Sequence, residues 1–178
     1  EKQLLRFLTE AQEEACMRAD LIYDDEVAVD LVDGQRTYIF DPLMLRIETV
    51  TYKGKPVIHI AKDDLTRQFP DWKTKKGVAD LQCYYYMTGF KFNMYPIPDA
   101  LDIIEDAEIQ VEGYRLPLDA LSSDELEIPV NMHKNVIWYA LHMAYATADA
   151  DALNYKESAV YLQKFDNAFG PKLDNRVV

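Results

Sequence analysis

The hydrophobic period of this 178-residue chain changes twice, from 3.6 to 2 and back, and that change limits the fold more than any single motif. The clearest helical part is residues 130–169, which read as two amphipathic helices joined by the acidic turn Thr147-Ala-Asp-Ala-Asp-Ala-Leu153. Val136, Ile137, Ala140, Leu141, Ala144 and Ala148 form one stripe, widened by Trp138, Tyr139 and Tyr145. Tyr155, Ala159, Leu162 and Phe169 form the other, with Tyr161, Phe165 and Ala168 beside them. Asp149 or Asp151 can N-cap the second helix by accepting first-turn amides, and Gly170-Pro171 stops it. So short a connection implies an antiparallel pair. A further helix is expected over residues 1–22, with Leu4, Leu8, Ala11, Ala15, Ala19 and Ile22 on its stripe and Leu5, Phe7 and Cys16 close by. Glu10, Glu13, Glu14, Arg18 and Asp20 take its remaining face.

Between these ends, residues 26–114 alternate with period 2. Residues 27–31 and 38–40 flank Asp33-Gly34, residues 45–52 and 57–60 flank Lys53-Gly54, and residues 81–87 and 90–95 flank Thr88-Gly89. Each reads as a hairpin with Gly where a positive φ is needed. All six glycines fall at turns, links or caps in this reading, none inside a periodic run. Residues 63–69 predict one helical turn ended by Pro70-Asp-Trp72. Tyr95-Pro-Ile-Pro-Asp99 is extended because each Pro fixes φ and removes a ladder donor. Residues 107–114 read as a strand, and Ser122-Ser-Asp-Glu125 as a capping box in the loop 115–129. No terminal helix can bury its stripe alone. The expected architecture is therefore α+β: an antiparallel helical bundle from residues 1–25 and 119–178, carrying a β-hairpin insertion over 26–118, together one compact unit.

A net charge of −12 makes binding to nucleic acid or membrane surfaces unfavourable, Lys73-Thr-Lys-Lys76 being a mild basic exception. No apolar run approaches the roughly 20 residues of a membrane span. Cys16 and Cys83 lie far apart without a pairing pattern and read as reduced and buried. The chain begins at Glu1 without Met, which leaves room for further N-terminal sequence.

Chemistry is not announced. His133 and His142, nine positions apart on one helix, point to opposite sides and cannot share a metal, and His59 sits in a strand beside no acidic motif. Asp149-Ala-Asp151 with Asn154 lacks the glycine and the final glutamate of a calcium loop. Tyr84-Tyr85-Tyr86 in a strand must alternate, so at least one ring packs inside and the others are free for an interface. No phosphate-binding glycine loop and no nucleophile elbow is present, so no catalytic residue, cofactor or metal is expected.

Several segments follow one another along the chain: Leu4-Leu-Arg-Phe-Leu-Thr-Glu-Ala-Gln12, Val32-Asp-Gly-Gln-Arg-Thr-Tyr38, Pro70-Asp-Trp72 before Gly77, and Met94-Tyr-Pro-Ile-Pro-Asp99. Glu127-Ile-Pro129, Trp138-Tyr-Ala-Leu-His-Met-Ala-Tyr145, Asp149-Ala-Asp151 and Phe165-Asp-Asn-Ala-Phe-Gly170 complete the series. In their order and spacing the chain resembles the head-to-tail adaptor (connector) proteins of tailed bacteriophages, the tail tubular protein A group included. The resemblance implies a non-enzymatic virion protein of the neck, made in the host cytoplasm. It further implies a ring, usually of twelve copies, docked under the portal protein, followed by a downstream tail or nozzle protein and traversed by double-stranded DNA without specific binding. It places portal contact on the C-terminal segment, here Lys172, Leu173, Arg176, Val177 and Val178. Alternatives are another neck or tail-completion protein, or an acidic decoy for a basic DNA-handling protein.

Overall fold

Asp20 marks the first change of period. Its φ of 49° lies in the left-handed region that short polar side chains tolerate, and its amide still donates to the Cys16 carbonyl at 3.2 Å. In this computed structural model, which describes residues 2–77, 82–102, 108–118, 125–147 and 154–172, helix α1 (Lys2–Ala19) therefore ends before Ile22. That residue, expected to close the helix, instead opens strand β1 (Ile22–Asp30). There follow β2 (Thr37–Ile39), β3 (Met44–Tyr52), β4 (Lys55–Pro56), β5 (Ile58–His59), α2 (Lys62–Gln68), β6 (Tyr84–Thr88), β7 (Lys91–Tyr95) and β8 (Glu108–Arg115). A 3₁₀ turn (Val130–Met132), α3 (His133–Ala146) and α4 (Tyr155–Phe169) close the described chain. The protein is α+β, with four α-helices and two sheets rich in antiparallel pairs among the described residues. It divides into two compact units, one formed by the ends, Glu1–Tyr23 and Tyr114–Val177, and one by the middle, Asp24–Gly113.

In the middle unit the strands form two four-stranded sheets rather than a row of hairpins. Sheet 1 runs β1-β8-β3-β4 and sheet 2 runs β2-β7-β6-β5. The hairpin expected between residues 27–31 and 38–40 does not form. β2 pairs instead with β7, Tyr38 opposite Phe92, while β1 lies beside β8. The connecting loop is held elsewhere, with the Gly34 amide donating to the Pro98 carbonyl at 2.9 Å. The second hairpin forms at Lys53-Gly54, but its return strand leaves after Pro56, and Ile58 and His59 run parallel to Tyr84 and Tyr85 in sheet 2. The third forms as read, Thr88 opposite Lys91.

Alternation fixes where the tyrosines go. Tyr85 joins Tyr38, Phe40, Phe92, Met94, Ile109 and Val111 in a core that draws on both sheets. Tyr84 and Tyr86 point the opposite way, against Leu65, Phe69, Trp72 and Tyr95. The inner strands of sheet 2, β6 and β7, thus carry buried side chains on both faces. Tyr86, 6% exposed, is core and not a free interface ring.

Gly113 contradicts the placement of every glycine at a turn or cap, because it lies inside β8. A Cβ there would sit 2.1 Å from the Arg46 carbonyl oxygen, so the neighbouring backbone approaches a position only glycine can occupy.

In the end unit α3 and α4 are antiparallel. The Asn154 amide donates to the Tyr145 carbonyl at 3.1 Å, His142 meets Ser158, and the Tyr139 and Phe165 rings are 4.9 Å apart. Asn154 is the N-cap of α4, its side chain accepting the Glu157 amide at 3.2 Å. This takes the role expected of Asp149 or Asp151, which lie outside the described residues together with the loop that holds them. The capping box proposed at residue 122 also begins outside them. Gly170, φ 88°, closes α4 with its amide on the Asp166 carbonyl. The buried side of α4 is Ser158, Phe165 and Phe169, so Tyr155, 72% exposed, and Ala159 are turned outward. On α1 the buried side is Phe7, Ala11, Glu14, Ala15 and Cys16, and Leu4 faces water.

Candidate functional site

Among the described residues of the end unit Arg18 is densely tied, although the spacing along α1 puts it on the face opposite the apolar stripe. Glu14 and Arg18 stand one helical turn apart, a spacing at which carboxylate and guanidinium meet. Here both are enclosed, their side chains 8% and 4% exposed. Arg18 Nε and Nη2 donate to Glu14 Oε1 at 2.9 and 2.8 Å. Nη1 donates to Asp166 Oδ1 and, at 2.8 Å, to the Gly170 carbonyl, and the guanidinium lies 4.9 Å from the centre of the Phe165 ring. One residue of α1 therefore grips the last turn and the C-cap of α4.

That grip fixes the point from which the C-terminal segment leaves. Of the five residues assigned to portal contact, Lys172 is exposed, with Nζ 3.8 Å from Glu14 Oε2. Leu173, Arg176, Val177 and Val178 lie outside the described residues.

A second feature is an aromatic ladder on α3 and α4. The Tyr161 ring stacks on Trp138 (5.9 Å, 9° between planes) and on Tyr145 (5.5 Å, 14°). The Lys164 ammonium lies 4.5 Å from the Trp138 ring centre and 5.0 Å from that of Tyr161. All three rings are half-buried.

The loop before α3 is tied down as well. Glu127 accepts from Arg115 Nη1 and from the Leu118 amide, both at 2.8 Å, and its own amide donates to the buried Gln12 Oε1 at 2.8 Å.

The histidines do no visible chemistry. His133 Nε2 is 2.9 Å from the Ile128 carbonyl oxygen. His142 Nδ1 lies 2.8 Å from Ser158 Oγ, a distance that would suit an activated nucleophile. However, Ser158 is 4% exposed, and its hydroxyl also reaches the His142 carbonyl at 3.1 Å while Nδ1 reaches the Ser158 carbonyl at 3.0 Å. With Nδ1 protonated, ring and hydroxyl each donate to the other helix, and the group works as a clasp. Among the described residues no three His, Cys, Asp or Glu side chains gather as metal ligands, and no helix is long and apolar enough to cross a membrane. Cys16 and Cys83 are buried and not joined in a disulfide, one in each unit. Burial pushes Cys16 up to about 12, with Glu127 adding to it, and Cys83 up to about 11, with Asp102 adding to it.

Among the described residues of the end unit, the features that stand out are anchored helix ends and stacked rings. Residues 1–177 match the SU10 adaptor protein family. The chain belongs to that family. No curated protein matches it. The family is one of structural phage adaptors, which is not an enzyme class, and such adaptors act with other proteins of the phage head and tail. A phage structural adaptor is a component of the virion.

Proposed function

We propose that this chain is the head-to-tail adaptor of a tailed phage, similar to those of the tail tubular protein A group. In this reading copies form a ring, twelve in number, beneath the portal protein. The ring joins the capsid to a downstream tail or nozzle protein, and double-stranded DNA passes through it. The observation that carries the reading is the family match over residues 1–177. The helical segments, 1–25 and 119–178, are proposed to frame the ring, with residues 26–118 as an inserted β-rich part.

Two features support the mechanics. Arg18 holds the C-cap of α4 through Gly170, so the segment from Pro171 onward leaves from a fixed place. Its basic residues, Lys172 and Arg176, and its apolar end, Val177-Val178, then meet the portal. The net charge of −12 keeps a passing duplex from sticking, because basic walls would bind phosphates and release counterions.

The test is co-sedimentation with portal-bearing, tail-less heads. The full chain is expected to travel with the heads, and a chain lacking residues 171–178, still helical by circular dichroism, is expected to stay behind. Equal binding by both removes the role of the C-terminal segment. No binding by either removes the adaptor reading.

A further inference from the structure

We infer that the outer face of α3 and α4 is where a second copy of this chain docks, by a head-to-tail contact with an acidic part of that copy. The inference rests on the ring reading above. Its starting point is an anomaly of charge. The sequence holds 31 acids in 178 residues, yet α3 (HKNVIWYALHMAYA) has none, and Lys134 is its one fixed charge.

Geometry places the rest. At 100° per residue, positions 134, 137, 138, 141, 144 and 145 fall within about 120° of one another. Trp138 and Tyr145 in this arc pack against Tyr161 of α4, and among the described residues the rest of the arc stays at least partly exposed. Ile137 is 45% exposed, and Trp138, Leu141, Ala144 and Tyr145 are half-buried, whereas Val136 and Ala140 on the other side are 0% and 3% exposed. α4 extends the same surface through Tyr161, stacked on two of those rings, and Lys164, seated over Trp138 and Tyr161. Val160 on α4 is a further exposed apolar residue, at 47%. Half-exposed Trp and Tyr rings with few charges among them are the composition of an interface core.

Charge selects the occupant and the symmetry. Lys134 and Lys164 are the cations of this face. Glu157, exposed one turn before Tyr161, is the acid on the α4 side of this face, so the two lysines outnumber it and two copies meeting about a two-fold axis would set mostly like charge against like. The remainder of the same chain is strongly acidic, since the whole carries −12 with these lysines included. The face therefore suits a different surface of the next copy. Contacts of that kind continue from copy to copy and close into rings.

Sedimentation velocity over a range of protein and salt concentrations tests this with four chains: wild type, Ile137→Leu, Ile137→Glu, and the pair Lys134→Glu with Lys164→Glu. Circular dichroism and thermal melting establish that each is folded. The wild type and Ile137→Leu are expected to self-associate equally. Ile137→Glu and the charge-reversed pair are expected to associate at least tenfold more weakly, and rising salt is expected to weaken the wild type. If both altered faces associate as the wild type does, the contact lies elsewhere and the ring reading survives alone. A discrete two-fold dimer as the end point overturns the head-to-tail contact. So does an Ile137→Glu chain that still self-associates but no longer binds heads, because the face then serves another protein. A wild type that self-associates neither in solution nor on portal-bearing heads removes the ring reading, and this inference with it.

Discussion

Strands β6 and β7 in the middle unit bury side chains on both faces, whereas α3 in the end unit buries one side and leaves the other half open. Tyr85 packs into one cluster of the middle unit while Tyr84 and Tyr86 pack into another, so alternation places all three rings within the chain. On α3 the Val136 side is enclosed, and the Ile137, Leu141 and Tyr145 side is not. The means of fastening differ too. The middle unit relies on close backbone approach and aromatic packing. The end unit relies on polar groups removed from water, with Arg18 tied to Glu14, Asp166 and Gly170. The rings of α3 and α4 stay half-exposed while the end of α4 is held, and this is the surface that the proposed contact uses.

The contrast can be broken most forcefully at Gly113. Gly113→Ala forces a Cβ to 2.1 Å from the Arg46 carbonyl, and overpacking of this kind is expected to cost about 3 kcal/mol. Urea unfolding should show the loss, and a cost near that of Gly89→Ala, where nothing lies within 4 Å, would mean the strands part easily.

In the end unit the equivalent stroke is Arg18→Ala. It leaves Glu14, 8% exposed, with only the exposed Lys172 ammonium at 3.8 Å, a change expected to cost about 3 kcal/mol. The single thiol of each unit gives a local readout. Arg18→Ala should speed labelling of Cys16 more than that of Cys83, and Gly113→Ala should do the reverse. Equal acceleration of both thiols would show that the units unfold together.

A smaller effect comes from pH. Burial raises the Cys16 thiol from 9.0 to about 12, so the folded state holds this proton more tightly than the unfolded chain does. Its contribution is complete below pH 9 and is lost as pH rises toward 12. Cys83 behaves likewise between 9.0 and about 11. The alkaline loss of stability should therefore be shallower in Cys16→Ala than in the wild type, and identical slopes would contradict the assigned burial. Smallest is Asn154→Ala, which removes the N-cap of α4 and is expected to cost about 1 kcal/mol by thermal melting.

Much of this was readable from local pattern. The helices at both ends, the turn at Lys53-Gly54, the tight hairpin after Thr88 and the stop at Gly170 all follow from period and from residues that tolerate particular φ values. Strand partnership was not readable, because β2 chooses β7 over its neighbour β1 through packing of Tyr38 and Phe40 on Phe92, contacts distant in sequence. Gly113 was misread because a close approach between strands leaves no mark in either strand alone. Arg18 was misread for a related reason: its Glu14 spacing signals an ion pair, but only the arrival of α4 encloses that pair. The outer face of α3 did leave a signal, the absence of any acid from fourteen residues of a very acidic chain.

The most direct measurement is electron microscopy of portal-bearing, tail-less heads incubated with the purified chain. The account predicts a closed ring of copies at the portal vertex alone, with α3 and α4 of each copy against its neighbour. Bare vertices, or single copies scattered over the shell, would contradict it.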